Sequence, residues 1–183
     1  MIVTRTPLTT AAPYDLDAVK AHARVDGDHD DTALALMADA AAREIEAHSE
    51  LALLRQIITV SLTRTAGPIR LPVGPIDLAA LDDHPVTVQT RQADGSLLAW
   101  PQGWWIDPAR NPVLHLDAVE GDDLVITYPA GFGDTAASIP PDLALAIADQ
   151  AARSYDVRGA EDAVQGLSLA ASRIAARYRR VAV

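Results

Sequence analysis

Asp26-Gly-Asp-His-Asp-Asp31 is the densest acidic group in the 183-residue sequence, and its carboxylates at 26, 28 and 30 are spaced like the opening of a calcium loop. Such a loop must also turn tightly at its sixth position and close on a carboxylate at its twelfth. Those positions hold Asp31, where glycine is needed, and Met37, where glutamate is needed. The cluster therefore reads as a polar connector whose last acids cap a helix and oppose its dipole. The histidines, at 22, 29, 48, 84 and 115, form neither an H-x-x-x-H nor an H-x-H pattern, so no metal ligand set is expected among them. No G-x-S-x-G elbow is present, and Ser61, Ser96, Ser138 and Ser154 have no local catalytic partner. Gly131-Phe-Gly133 lacks the lysine and third glycine of a phosphate loop and reads as a turn between strand and helix. Trp104-Trp105 could stack on a base or a sugar, but an aromatic pair in a Phe-poor chain also suits a core or an interface. No set of catalytic residues can be named and no cofactor is implied, although a triad assembled from distant residues would leave no local mark.

Composition narrows the classes further. The absence of cysteine excludes disulfides, thiolate zinc sites, iron–sulfur clusters and thiol nucleophiles. With 1 Phe, 3 Trp and 4 Tyr, the core must be built from alanine and aliphatic side chains, which favours closely approaching helices. The net charge of −10 is uneven: residues 1–152 carry 9 basic and 22 acidic side chains, whereas residues 153–183 carry 6 arginines and 3 acids, giving −13 and +3. An acidic body disfavours nonspecific nucleic-acid binding, which needs clustered cations. No apolar run approaches the ~20 residues that span a bilayer. Met1-Ile-Val-Thr-Arg-Thr-Pro7 lacks the charged start and apolar stretch of a signal peptide, so a soluble protein made in the cytosol is expected, without a membrane partner.

The positioning elements change type twice along the chain. Asp15 is suited to cap a helix over Leu16–Ala23, and Asp30 or Asp31 a longer one, about Thr32–Leu53, with Leu34, Met37, Ala41, Ile45, His48 and Ala52 on its buried stripe. From Gln56 the pattern becomes β-branched. Strands are expected over Gln56–Thr65, Ile69–Leu71, Val86–Arg91, Leu97–Trp100, Trp104–Ile106, Val113–Leu116 and Leu124–Tyr128, with Asp94-Gly95 as a hairpin turn. Helices return at Pro140-Pro141-Asp142, with Leu143, Ala144, Ile147, Ala151 and Tyr155 on one face, and again over Leu167–Tyr178. The expected fold is α+β: a helical bundle from residues 1–54 and 140–183, with a small antiparallel β module of sandwich or barrel type inserted at 55–139.

The order of these signals resembles head–tail connector (adaptor) proteins of long-tailed phages, prophages and phage-like gene transfer agents. The resemblance is carried by Asp15–Val25 and the long helix ending Arg43-Glu-Ile-Glu-Ala-His-Ser-Glu50, by Ile69-Arg-Leu-Pro-Val-Gly-Pro-Ile76, and by Val125-Ile-Thr-Tyr-Pro-Ala-Gly-Phe-Gly133 followed by Ile139-Pro-Pro-Asp-Leu143. It implies a virion structural protein without catalytic activity. Such a protein forms a ring, commonly of twelve copies, in the particle neck between the portal and the stopper or tail, and DNA passes down the ring axis without specific binding. Assembly would take place in the bacterial cytoplasm. By position alone, it also implies portal binding by the C-terminal residues Arg173, Arg177, Tyr178, Arg179 and Arg180. An acidic wall that repels phosphate suits a DNA channel, and an arginine-rich end suits a partner surface. A bacterial enzyme or sugar-binding protein using Trp104 and Trp105, or another neck or tail-completion protein, are the alternatives; stoppers are mostly β, which the long N-terminal helix disfavours.

Overall fold

The computed structural model describes residues 1–63, 67–101, 103–116, 123–158 and 166–179. In chain order they form β1 (Ile2–Pro7), α1 (Leu16–Ala23), α2 (Asp31–Ser49), β2 (Gln56–Thr63), β3 (Ile69–Arg70), β4 (Thr87–Arg91), β5 (Leu97–Ala99), β6 (Trp104–Asp107), β7 (Val113–Leu116), β8 (Asp123–Ala130), α3 (Pro141–Asp156) and α4 (Leu169–Ala176). The fold is α+β, and it resolves into two units, one of residues 1–9 with 55–133 and one of residues 10–54 with 134–183.

The β unit holds two antiparallel sheets, of order β1-β2-β8-β4-β5 and β3-β7-β6. β8 is central and reads as a nearly continuous buried run, because β2 and β4 pair with its two sides. Tyr128, Ile126 and Leu124 are its core residues. The seven expected strands are all present, including the β4–β5 hairpin, where Gly95 takes a φ of +86° that suits glycine. One strand departs from the expectation. Ile2–Pro7, read with the helices, is β1 and pairs with β2 from Ile2 against Ser61 to Pro7 against Gln56. Its partner lies some fifty residues away in sequence, so no hairpin turn marks it locally.

The Pro72-Val-Gly-Pro75 segment is fastened to the end of β8. Tyr128 Oη donates to the Val73 carbonyl (2.9 Å) and accepts from the Val73 N–H (3.3 Å). Asp77 N–H donates to the Pro129 carbonyl, and Gly131 N–H to the Pro75 carbonyl. Gly74 must be glycine: a Cβ there would lie 1.9 Å from the Arg110 carbonyl oxygen.

In the helical unit α3 packs against α1, α2 and α4. Its buried face, Leu143, Ala146, Ile147, Ala148, Ala151 and Ala152, meets helices that also bury alanine: Ala38, Ala41 and Ala42 on α2, and Ala171 and Ala175 on α4. Asp15 caps α1 by accepting from the Asp17 N–H (3.0 Å), and Ser168 Oγ caps α4 by accepting from the Ala171 N–H (3.0 Å). Pro141 occupies the tolerated first turn of α3. α2 ends at Ser49, earlier than its apolar pattern suggests. Glu50 adopts a left-handed φ of 58°, and the Leu53 N–H is taken by Glu46 Oε1 (2.7 Å). Leu51–Leu54 are buried as a bent segment that leads out of the helix, and on the buried face Ser49 takes the place expected for His48, which is half-buried.

Candidate functional site

The acidic connector is an internal ionic network. Lys20 Nζ lies 2.8 Å from Asp28 Oδ1 and 2.7 Å from Asp31 Oδ1, and these carboxylates raise the lysine pKa. Asp30 stands at the α2 N-cap, but its side chain turns to α3, accepting from Tyr155 Oη and from Arg158 Nη1 (3.4 Å). Those two bonds, Tyr155 first, hold the Asp30 carboxyl below its usual pKa, and the Lys20 ammonium does the same for Asp28. The Arg158 guanidinium lies 4.0 Å from the Tyr155 ring centroid. The carboxylates thus bind cations of their own unit. Among the described residues no group of three or more His, Asp or Glu side chains could hold a metal ion.

An open cavity of about 550 Å³ lies between α1 and α3, lined by His22, Arg24, Asp149, Arg153 and Asp156 among others. It gathers one histidine and two carboxylates. His22 Nε2 is 3.7 Å from Asp149 Oδ1, and both side chains are about one-third exposed. Asp149 Oδ2 accepts from Ser168 Oγ (2.6 Å), while Gln150 Oε1 accepts from the Ser168 N–H (2.7 Å). These bonds position the start of α4, which is a structural task. The remaining sequence candidates stay apart. Ser154 Oγ donates to the Gln150 carbonyl of its own helix, and Ser96 is engaged by Asp94. The Gly131–Gly133 turn accepts the Arg55 N–H at Gly133.

The C-terminal segment carries exposed arginines on α4 and just after it. Tyr178 is buried, and its hydroxyl donates to Asp142 Oδ1 (2.6 Å) in the first turn of α3; Arg177 Nη2 reaches Asp142 Oδ2 at 3.1 Å. Arg173, Arg177 and Arg179 are exposed, and Arg180 lies outside the described residues. Trp105 is 59% exposed and stacks on the cross-strand His115, ring centroids 3.8 Å apart and planes 3° from parallel. Trp104 is half-buried, so the pair does not form one two-ring platform.

Sequence reasoning missed the Arg55–Asp77 ion pair (2.6 Å), whose carboxylate is 7% exposed and also caps the short turn at Leu78–Ala80. Its only local signal was the cap spacing Asp77-Leu-Ala; the arginine is 22 residues away.

No protein-family model matches the chain, and no curated protein matches it by sequence. Solved structures do share its fold. A chain in the neck of an empty gene transfer agent (GTA) particle, computed with C6 symmetry, superposes with a TM-score of 0.80 at 22% identity, over 100% of this chain and 97% of that one. A chain in the virion of a native GTA particle gives 0.77 at 24% identity, with the same coverage. One in the neck of a native GTA particle, computed with C12 symmetry, gives 0.70 at 27% identity, again covering 100% and 97%. The resemblance carried by Asp15–Val25, Ile69–Ile76 and Val125–Gly133 therefore extends over the whole fold, and the chain is built as a neck protein of these phage-like particles is built.

Proposed function

We propose that this protein is a structural subunit of the neck of a phage-like particle: a head–tail connector that forms a ring between the portal and the stopper or tail, with DNA passing through its centre and no reaction catalysed. The observation that carries this reading is the end-to-end match of this chain to chains in GTA neck structures. The C12 symmetry of one of them supports a twelve-copy ring. The acidic body supports passage of DNA without adhesion, since like charge repels the phosphates. The C-terminal segment is the portal anchor. Tyr178 serves it from within, clasping the end of α4 to Asp142, while Arg173 and Arg179, followed by Arg180, offer guanidinium groups to an acidic partner surface beside the Asp142-bound Arg177.

Deleting the gene should leave DNA-filled heads without tails, and the protein should be detected by antibody at the neck of intact particles. Normal tailed particles from the deletion strain would refute the connector role. The double variant Arg173→Glu/Arg179→Glu should fold normally by circular dichroism yet lose capture by purified portal. Unchanged capture would move the portal contact to another surface.

A further inference from the structure

Among the described residues, β1 pairs only with β2 and β5 only with β4, so each leaves one strand edge without a strand partner. The two lie at the ends of the five-stranded sheet, separated by β2, β8 and β4, about 19 Å apart at ~4.8 Å per strand. Every residue of Ile2–Pro7 and Leu97–Ala99 is exposed. Successive strand side chains point to opposite faces, so each outer strand is solvent-exposed on both faces. Large apolar side chains stand among what they expose: Ile2 is 71% exposed and Leu98 54%, with Val3 and Leu97 beside them. Natural edge strands are usually protected by charge, proline or a bulge. β5 carries neither charge nor proline, and in β1 Arg5 and Pro7 guard only the second half of the strand, leaving Ile2-Val3-Thr4 without either.

Strand direction identifies the occupant. Each neighbouring pair in the sheet is antiparallel, so across five strands β1 and β5 run the same way. A second copy displaced along the sheet, without being turned over, would lay its β1 beside this copy's β5 as a parallel pair. Two different, mutually complementary edges are what a head-to-tail ring requires, whereas a two-fold dimer would pair one edge with itself. The neck structures with this fold have C6 and C12 symmetry, both cyclic. We propose that the subunit-to-subunit contact of the ring is strand addition, in which Ile2–Thr4 of one copy extends the sheet of the next along Leu97–Ala99. This rests on the neck-ring reading above and names the surface through which that ring closes.

The chain has no cysteine, so the introduced thiols are the only ones it carries. Adjacent strands bring Cα atoms within the ~4.4–6.8 Å that a disulfide spans. Val3→Cys/Leu98→Cys and Ile2→Cys/Leu98→Cys cover neighbouring registers. After mild oxidation of intact particles, at least one pair should give a non-reducing ladder at multiples of the 19.4 kDa chain, with no ladder from the single variants. In parallel, Leu98→Asp should keep its circular dichroism and melting temperature but reduce tailed particles about tenfold or more, equivalent to ~1.4 kcal/mol per decade. Particles that contain the protein yet give no ladder from either pair, with Leu98→Asp assembling normally, would overturn strand addition and leave the neck reading intact. A dimer from Val3→Cys alone would overturn it in favour of a two-fold contact. Absence of the protein from particles would remove the neck reading and this contact together.

Discussion

Tyr128→Phe isolates the bond that fastens the Pro72–Pro75 segment to β8. The Tyr128 ring is fully buried and Val73 nearly so, and the hydroxyl both donates to the Val73 carbonyl at 2.9 Å and accepts from its N–H at 3.3 Å. Phenylalanine keeps the packing and removes only an oxygen. Two buried backbone groups then lose this partner, and an unmet buried polar group costs about 1–3 kcal/mol. The longer bond contributes at the low end, which places the total near 2–3 kcal/mol. For a chain of this size that corresponds to a fall in melting temperature of roughly 4–12 °C. Trp100, Trp104 and Trp105 all lie within the β unit, so tryptophan fluorescence reports that unit's unfolding, while far-ultraviolet circular dichroism is dominated by the helices. In urea the fluorescence midpoint of the variant should move down with an unchanged slope. A loss below about 0.5 kcal/mol would refute the claim that the hydroxyl holds Val73, and would assign Tyr128 a packing role only.

Gly74→Ala should destabilise the β unit by about 3 kcal/mol or more, since backbone must move to relieve a 1.9 Å approach; a melting shift below ~3 °C would contradict this. Arg55→Ala strands the buried Asp77 carboxylate and should cost about 3 kcal/mol in urea, with much of that recovered by adding Asp77→Asn; no recovery in the double variant would mean that the pair's charge is not the cause. Asp30 is held below its usual pKa by Tyr155 and Arg158, so its stabilisation is full above the unfolded value of ~3.9 and is lost as pH falls through the lower folded value. Stability against pH should therefore fall more steeply below about pH 4 in the parent protein than in Asp30→Asn, which starts lower at neutral pH; equal slopes would dispose of the coupling.

The α+β architecture was legible because its signals are local. Val113–Leu116 and Thr87–Arg91 are short apolar or β-branched runs between turn residues, and Leu143, Ile147 and Ala151 recur at helical spacing behind a proline pair. β1 escaped because a single edge strand takes its identity from a distant partner; Ile2-Val-Thr-Arg-Thr has the right residues but no turn joining it to β2. The end of α2 escaped for the opposite reason. Leu51-Ala-Leu-Leu54 prolongs an apolar run as a helix would, and only the left-handed turn at Glu50 diverts it. The surface chemistry was half legible: charge counting found the C-terminal arginines, but that Tyr178 faces inward is decided by Asp142, 36 residues earlier. The Asp26–Asp31 connector was correctly read as polar, whereas its partners Lys20, Tyr155 and Arg158 could not be matched to individual acids without coordinates.

The central place of β8 has a consequence for the order in which the chain can mature on the ribosome. Its pairing partners, β2 and β4, and the Val73–Asp77 segment bonded at its end are all synthesised before it, yet none of these contacts exists until residue 130 has emerged. The helices face the same delay, because α1 and α2 wait for α3 to bury their alanine faces. About two-thirds of the polypeptide must therefore leave the exit tunnel with its apolar strands and helix faces unmet, the interval in which such surface is prone to misassociate. A chain arranged this way gains its competence to assemble late, so an incomplete nascent subunit has little finished surface to offer a growing particle.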